Sequence, residues 1–99
     1  MIDFDQLDLV LNEDRKRYEL EVEGKKAFIE FIKTNTQIYL THTEVPQSLE
    51  GKGVGSHLVL TVLKQVEQMD LQLVPLCPFV ASYIKRHPEW RKLVLRETK

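Results

Sequence analysis

The sequence is poor in cysteine and histidine and has no long apolar run. A single cysteine, Cys77, cannot form an internal disulfide. The three histidines, His42, His57 and His87, are spaced too widely to suggest a zinc site with that thiol. No apolar stretch approaches the roughly 20 residues that a membrane span needs, and the N-terminus is acidic rather than basic. These absences predict a reduced, metal-free protein of the cytoplasm.

A charge excess of either sign is also missing. The 14 basic and 15 acidic residues give a formal net charge of -1, and no basic stripe interleaves with aromatic residues. Nucleic-acid binding through phosphate contacts is therefore disfavoured. With 42% hydrophobic residues, the 99-residue chain can bury one core but not two. We expect one domain over residues 1–99, as a monomer or a weak homodimer.

Apolar residues alternate with period two between residues 7 and 43 and predict four strands joined by tight turns. Gly24-Lys25 is the predicted turn between the second and third strands. The third strand has apolar residues on both faces, as a central strand does, and the fourth spans Gln37 to Thr43. The pattern is that of an antiparallel meander.

The period changes to that of a helix from about Gly53 to Met69. A fifth strand, Leu71 to Leu76, follows, and Pro78 then opens a short helix. If the fourth and fifth strands are parallel neighbours, the crossover is right-handed and the long helix packs on one face. The predicted fold class is α+β, or mixed α/β: an antiparallel four-strand meander, a long helix, a fifth strand parallel to the fourth, and short C-terminal helices. Arg96 to Lys99 are expected to be frayed.

Three glycines precede and enter the long helix. A helix N-terminus offers unpaired N–H groups and partial positive charge, and Gly51, Gly53 and Gly55 remove the side chains that would keep a phosphate away. Lys52 adds a charge nearby. The alternative is a flexible loop before an ordinary helix. Walker A and dinucleotide-binding loops are excluded, because Lys52 is followed by Gly and no βαβ unit precedes the turn.

Two sequence blocks carry a family resemblance. The first is His42-Thr43-Glu44-Val45-Pro46 followed by Leu49-Glu50-Gly51-Lys52-Gly53-Val54-Gly55-Ser56-His57-Leu58; the second is Cys77-Pro78-Phe79-Val80, Tyr83-Ile84 and His87-Pro88-Glu89-Trp90. Together with the order of elements they resemble the GNAT superfamily of acyl-CoA-dependent N-acetyltransferases, and most closely its minimal subfamily of about one hundred residues. Glu50 departs from the Gln or Arg usual there.

The resemblance implies an acetyl-CoA site. The fourth and fifth strands would splay apart around the pantetheine arm, and the amides of Lys52 to Ser56 would bind the diphosphate while the Glu50 side chain points away. The cofactor-binding residues implied in this way are Thr43, Glu44, Val45, Glu50, Gly51, Lys52, Gly53, Val54, Gly55, Ser56, Cys77 and Tyr83.

Four residues are candidates for the chemistry. Cys77 would lie just before a helix N-terminus, which favours thiolate, and in the subfamily a cysteine here implies an acetyl-cysteine intermediate; it could equally be a small buried apolar residue. His42 and Glu44 should share one strand face, where either could receive the amine proton or simply be solvated. Tyr83 could protonate the leaving thiolate or pack in the core.

The function predicted from these residues is transfer of acetyl from acetyl-CoA to a primary amine, for example a protein lysine or a small metabolite. A non-catalytic acyl-CoA-binding module would keep the glycine turn without using Cys77 or Glu44. A protein-interaction domain acting through its sheet edge would bind no such ligand. The acceptor is not identified by the sequence.

Overall fold

The computed structural model describes residues 2–95, which form a five-stranded mixed sheet with a long helix on one face. The strands are, in sheet order, β1 (Leu9–Asn12), β2 (Arg17–Val22), β3 (Lys25–Lys33), β4 (Gln37–Glu44) and β5 (Gln72–Pro75). Strands β1 to β4 are antiparallel, and β5 runs parallel to β4. The predicted α+β class is confirmed. The frayed end predicted for residues 96–99 lies outside the described residues.

Two helices follow the meander, α1 (Val54–Met69) and α2 (Pro78–Arg86), and a 3-10 segment spans Pro88–Leu93. The apolar stripe of α1 packs on the sheet because its period matches one helix face. The buried residues of that stripe are Val54, Leu58, Val59, Val62, Leu63 and Val66. Trp90 closes the core beyond α2 and is only 8% exposed. Among residues 2–95, neither helix has both the length and the apolar character that a membrane crossing requires.

Several sequence-based boundaries are wrong by one or two residues: β4 ends at Glu44, β5 spans Gln72–Pro75, and the β2–β3 turn and the start of β1 also differ. The β2–β3 turn is Glu23-Gly24 rather than Gly24-Lys25. Glu23 and Gly24 have positive φ (53° and 80°), and Lys25 already pairs with Val22. Two consecutive positive φ values are typical of a type I′ hairpin turn. The first strand begins at Leu9, since a 3-10 turn over Phe4–Gln6 occupies the preceding chain.

A β-bulge in β4 determines which side chains face α1. Glu30 pairs with His42 and Phe31 pairs with Leu40, so Thr41 is the extra residue, and its hydroxyl donates to the Glu30 carbonyl at 3.2 Å. The alternation of side chains is therefore reversed after Leu40. Without the bulge, His42 would face α1. Because of the bulge, Thr43 lies on the α1 side, and His42 and Glu44 lie on the opposite face.

Candidate functional site

Strands β4 and β5 are paired along only half of β4. Their register runs from Gln37↔Gln72 to Leu40↔Pro75, and the N–H of Cys77 makes the last link, to the Leu40 carbonyl at 2.9 Å. Beyond it, the β5-facing edge of β4 from Thr41 to Glu44 has no partner strand within residues 2–95. The chain of β5 turns away here because Pro78 starts α2. The result is a wedge-shaped gap beside an unpaired strand edge.

The start of α1 supplies a set of free amides. The N-cap residue, Gly53, has φ of 82°, and no side chain caps the helix. The N–H of His57 donates to the Gly53 carbonyl at 3.0 Å, but the N–H groups of Gly53, Val54, Gly55 and Ser56 meet no acceptor in the described part of the chain. Such a cluster of unpaired donors at a positive helix end is suited to an anion.

The unpaired strand edge and the free amides border one cleft of about 500 Å³. Its walls come from the end of β4, the turn before α1, the first turn of α1, and α2. The lining residues are Thr43, Val45, Leu49, Glu50, Gly51, Gly53, Val54, Gly55, Ser56, Phe79 and Arg86. The structure thus brings together eight of the twelve residues predicted to bind the cofactor. Glu44, Lys52, Cys77 and Tyr83 do not line the cleft.

Gly55 lies close to the wall of the cleft formed by Phe79 and Val45. A Cβ atom at this position would lie 2.7 Å from Cζ of Phe79 and 3.3 Å from Cγ2 of Val45. Real Cβ atoms do not approach another heavy atom to 2.7 Å. The absence of a side chain at Gly55 therefore keeps this part of the cleft open.

The cation at the cleft is not the one that the sequence suggested. The ammonium of Lys52 lies 3.9 Å from a carboxylate oxygen of Glu23, in the β2–β3 turn. The backbone N–H of Lys52 donates to the Leu49 carbonyl at 3.4 Å. Arg86, near the end of α2, is the basic residue that lines the cleft, and Glu50 is the acidic one. The lining thus contains one formal charge of each sign in addition to the free amides.

Cys77 is the N-cap of α2 and lies directly behind Thr43. Its Sγ is 3.2 Å from Oγ1 of Thr43, and the residue is 4% exposed. Thr43 itself faces the cleft. The thiol therefore contacts the site through the Thr43 hydroxyl instead of lining the cleft.

His42 and Glu44 lie together, as the strand alternation predicted, on the face of β4 opposite to Thr43. Nε2 of His42 is 3.6 Å from Oε1 of Glu44, and both side chains are more than half exposed. Phe28 on β3 is the cross-strand partner of Glu44, and its ring meets the His42 ring edge-on at 6.2 Å. This polar pair borders the unpaired segment of β4 from the side away from α1.

Tyr83 is buried on α2, where its ring stacks on His87 at 4.2 Å between centroids. Burial raises the pKa of the Tyr83 hydroxyl, Glu89 adds to that effect, and Arg86 opposes it. The hydroxyl thus remains protonated at neutral pH. Its core packing follows from the apolar stripe of the short helix.

Three lining residues were not predicted: Leu49, Phe79 and Arg86. Phe79 and Arg86 are seven positions apart on α2, which is two helical turns and hence one face. That spacing was visible in the sequence, although it does not reveal which face meets the cleft. Among residues 2–95, no group of three His, Cys, Asp or Glu side chains is arranged to hold a metal ion.

Comparison with known proteins agrees with this architecture. The sequence profile described as GCN5-related N-acetyl-transferase matches residues 17–93. Protein NATD1 of Xenopus tropicalis is 30% identical over 81 residues, covering 76% of this chain and 73% of that protein. Protein NATD1 of Homo sapiens is 37% identical over 49 residues, or 50% of this chain and 43% of that protein. Protein NATD1 of Danio rerio is 26% identical over 87 residues, covering 82% of this chain and 78% of that protein.

The profile match includes β2 to β5, both helices and every residue that lines the cleft. It therefore spans most of the sheet and the glycine turn at the start of α1. The chain belongs to the GCN5-related N-acetyltransferase family.

Proposed function

We propose that the cleft binds acetyl-CoA and that the protein transfers the acetyl group to a primary amine. The observation that carries this proposal is the combination of four free amides, Gly53 to Ser56, with an unpaired β4 edge along one cleft. The amides fit a diphosphate. The strand edge fits the amide groups of a pantetheine arm, which can pair with it as a strand would.

The residues present fit the rest of the cofactor as well. Val45 and Phe79 form an apolar wall that suits the alkyl parts of pantetheine, and Gly55 leaves room beside them. Thr43 lines the cleft, and its hydroxyl lies 3.2 Å from Sγ of Cys77, close to the gap between β4 and β5. When bound, the thioester supplies an acetyl carbon that a neutral amine can attack.

The gap between the strands gives the two reactants different approaches. His42 and Glu44 lie on the face of β4 away from α1, whereas the cleft opens on the α1 side. An amine arriving from the open face meets this polar pair before it reaches the gap. In our proposal the pair receives the amine proton, directly or through water, while the acetyl carbon exchanges its bond to sulfur for a bond to the amine nitrogen. Water returns a proton to the departing CoA thiolate, and no covalent enzyme intermediate is formed.

A second candidate function, a non-catalytic acyl-CoA-binding module, is favoured by one observation. None of the four predicted catalytic side chains lines the cleft: Cys77 and Tyr83 are buried, and His42 and Glu44 occupy the opposite face. Such a module would bind acetyl-CoA as tightly as the enzyme without releasing CoA in the presence of amines.

Calorimetric titration with acetyl-CoA tests the site, and two glycines offer a matched pair of variants. Gly53 and Gly24 have nearly equal φ values of 82° and 80°, so alanine costs each about 1 kcal/mol of unfolding free energy. Gly53→Ala should also weaken acetyl-CoA binding by about tenfold, since it turns the cleft amides away. Gly24→Ala should leave binding unchanged. Equal affinities in both variants would contradict the assignment.

Turnover separates the two candidate functions. Release of CoA is measured with a panel of amines that includes a lysine peptide and a polyamine. The transferase predicts amine-dependent release that decreases in a His42→Ala/Glu44→Ala double variant, while acetyl-CoA affinity is retained. Tight binding without release for any amine would favour the module.

A further inference from the structure

We propose that Arg86 recognises the 3′-phosphate of coenzyme A, so that the protein distinguishes coenzyme A from its dephospho form. This inference rests on the proposed acetyl-CoA site and goes further, since it assigns a specificity to a residue outside the glycine turn. Arg86 is the basic residue that lines the cleft. Arginine's planar fork of donors is well matched to phosphate oxygens.

The guanidinium of Arg86 is available for a ligand. Within residues 2–95 its side chain makes one hydrogen bond, a long one of 3.5 Å from Nε to the Ser82 carbonyl of the same helix. Among the ion pairs of residues 2–95, none includes Arg86. The residue is exposed at the end of α2, so within the described part of the chain its charge lies beside the cleft without an acidic partner.

The contacts along α2 give the order of features in the cleft. Cys77 at the start of the helix touches Thr43, Phe79 comes next and lies against Gly55, and Arg86 is seven residues further on. Seven residues of helix correspond to about 10 Å. The strand edge, the free amides and the guanidinium therefore follow one another in the order in which coenzyme A carries its pantetheine arm, diphosphate and 3′-phosphate.

The diphosphate is the other phosphate that Arg86 could meet. The amides of Gly53 to Ser56 already offer four donors to it. Glu50, also on the cleft wall, would repel the 3′-phosphate as an additional anion. Binding of that phosphate therefore needs a cation. We therefore assign the 3′-phosphate to Arg86 and leave the diphosphate to the amides.

Calorimetry with acetyl-CoA and with 3′-dephospho-acetyl-CoA distinguishes these two phosphates. Arg86→Gln should weaken acetyl-CoA binding by about tenfold and leave binding of the dephospho form unchanged. Lys85→Gln is the matched control, since Lys85 is the neighbouring basic residue but lines a different cavity. It should affect neither ligand. The thermal midpoint without ligand should be the same for both variants.

Two results would overturn the inference while leaving the proposed function intact. An equal loss of affinity for both ligands in Arg86→Gln would assign the guanidinium to the diphosphate. Unchanged affinity for both would exclude Arg86 from phosphate binding. If the unmodified protein bound neither ligand, the acetyl-CoA site itself would be wrong, and the role of Arg86 with it.

Discussion

Replacing Gly55 by alanine should separate ligand binding from stability. The added Cβ would lie 2.7 Å from Cζ of Phe79, whereas a favourable carbon–carbon contact is about 3.5–4.0 Å. The Phe79 ring must therefore move by about 1 Å. It can do so because it is 39% exposed, at a rotamer cost of about 0.5–1.5 kcal/mol. Alanine recovers about 0.5–1 kcal/mol as a better helix former at the second position of α1.

These opposing terms nearly cancel, so the free energy of unfolding of Gly55→Ala should stay within about 1 kcal/mol of the unmodified protein. The cleft beside the free amides, by contrast, is narrowed by a methyl group and a displaced ring. We expect acetyl-CoA affinity to fall by at least about tenfold. Urea unfolding and calorimetric titration measure the two quantities. Unchanged affinity in a stable Gly55→Ala variant would refute the route of the cofactor past this residue.

Two further predictions concern residues away from the glycine turn. The hydrogen bond from Arg17 lowers the pKa of Glu19 below its ordinary value of 4.5, although burial opposes this effect. The stabilisation of the folded state by ionised Glu19 is thus complete above the unfolded-state pKa of 4.5. It is lost as pH falls through the lower pKa of the folded state. Glu19→Gln should cost about 1–2 kcal/mol near neutral pH and less in acid, measured by urea unfolding; an equal cost at both would contradict this. Cys77→Ser should keep kcat/KM within about threefold because the thiol lies behind Thr43, whereas loss of a nucleophile would cost orders of magnitude.

Much of the fold could be predicted because its signals are local. Period-two alternation up to Thr43 and the helical period from Val54 are properties of short windows, and each depends on burial of one face. The glycine turn was likewise predictable, since Gly53 takes the positive φ that other residues avoid. The β2–β3 turn was misplaced by one residue because Glu23, a residue without special turn preference, has positive φ.

The arrangement of side chains around the cleft depends on features that have no clear local signal. The Thr41 bulge reverses the alternation of β4, and this reversal places Thr43 in the cleft and His42 outside it. The cation was also misidentified: Lys52 was expected beside the anion, but Arg86, which the sequence did not single out, lines the cleft because of how α2 packs. Residue types alone could not have settled either point.

The measurement that tests the central claim most directly is a nitrogen–proton correlation spectrum recorded during titration with acetyl-CoA. The chain contains four glycines, and their amide signals report separately on the cleft and on a hairpin outside it. We predict that the Gly53 and Gly55 signals shift until saturation while the Gly24 signal stays in place. Saturable binding that leaves the Gly53 and Gly55 amides unshifted would contradict the claim that these groups hold the diphosphate.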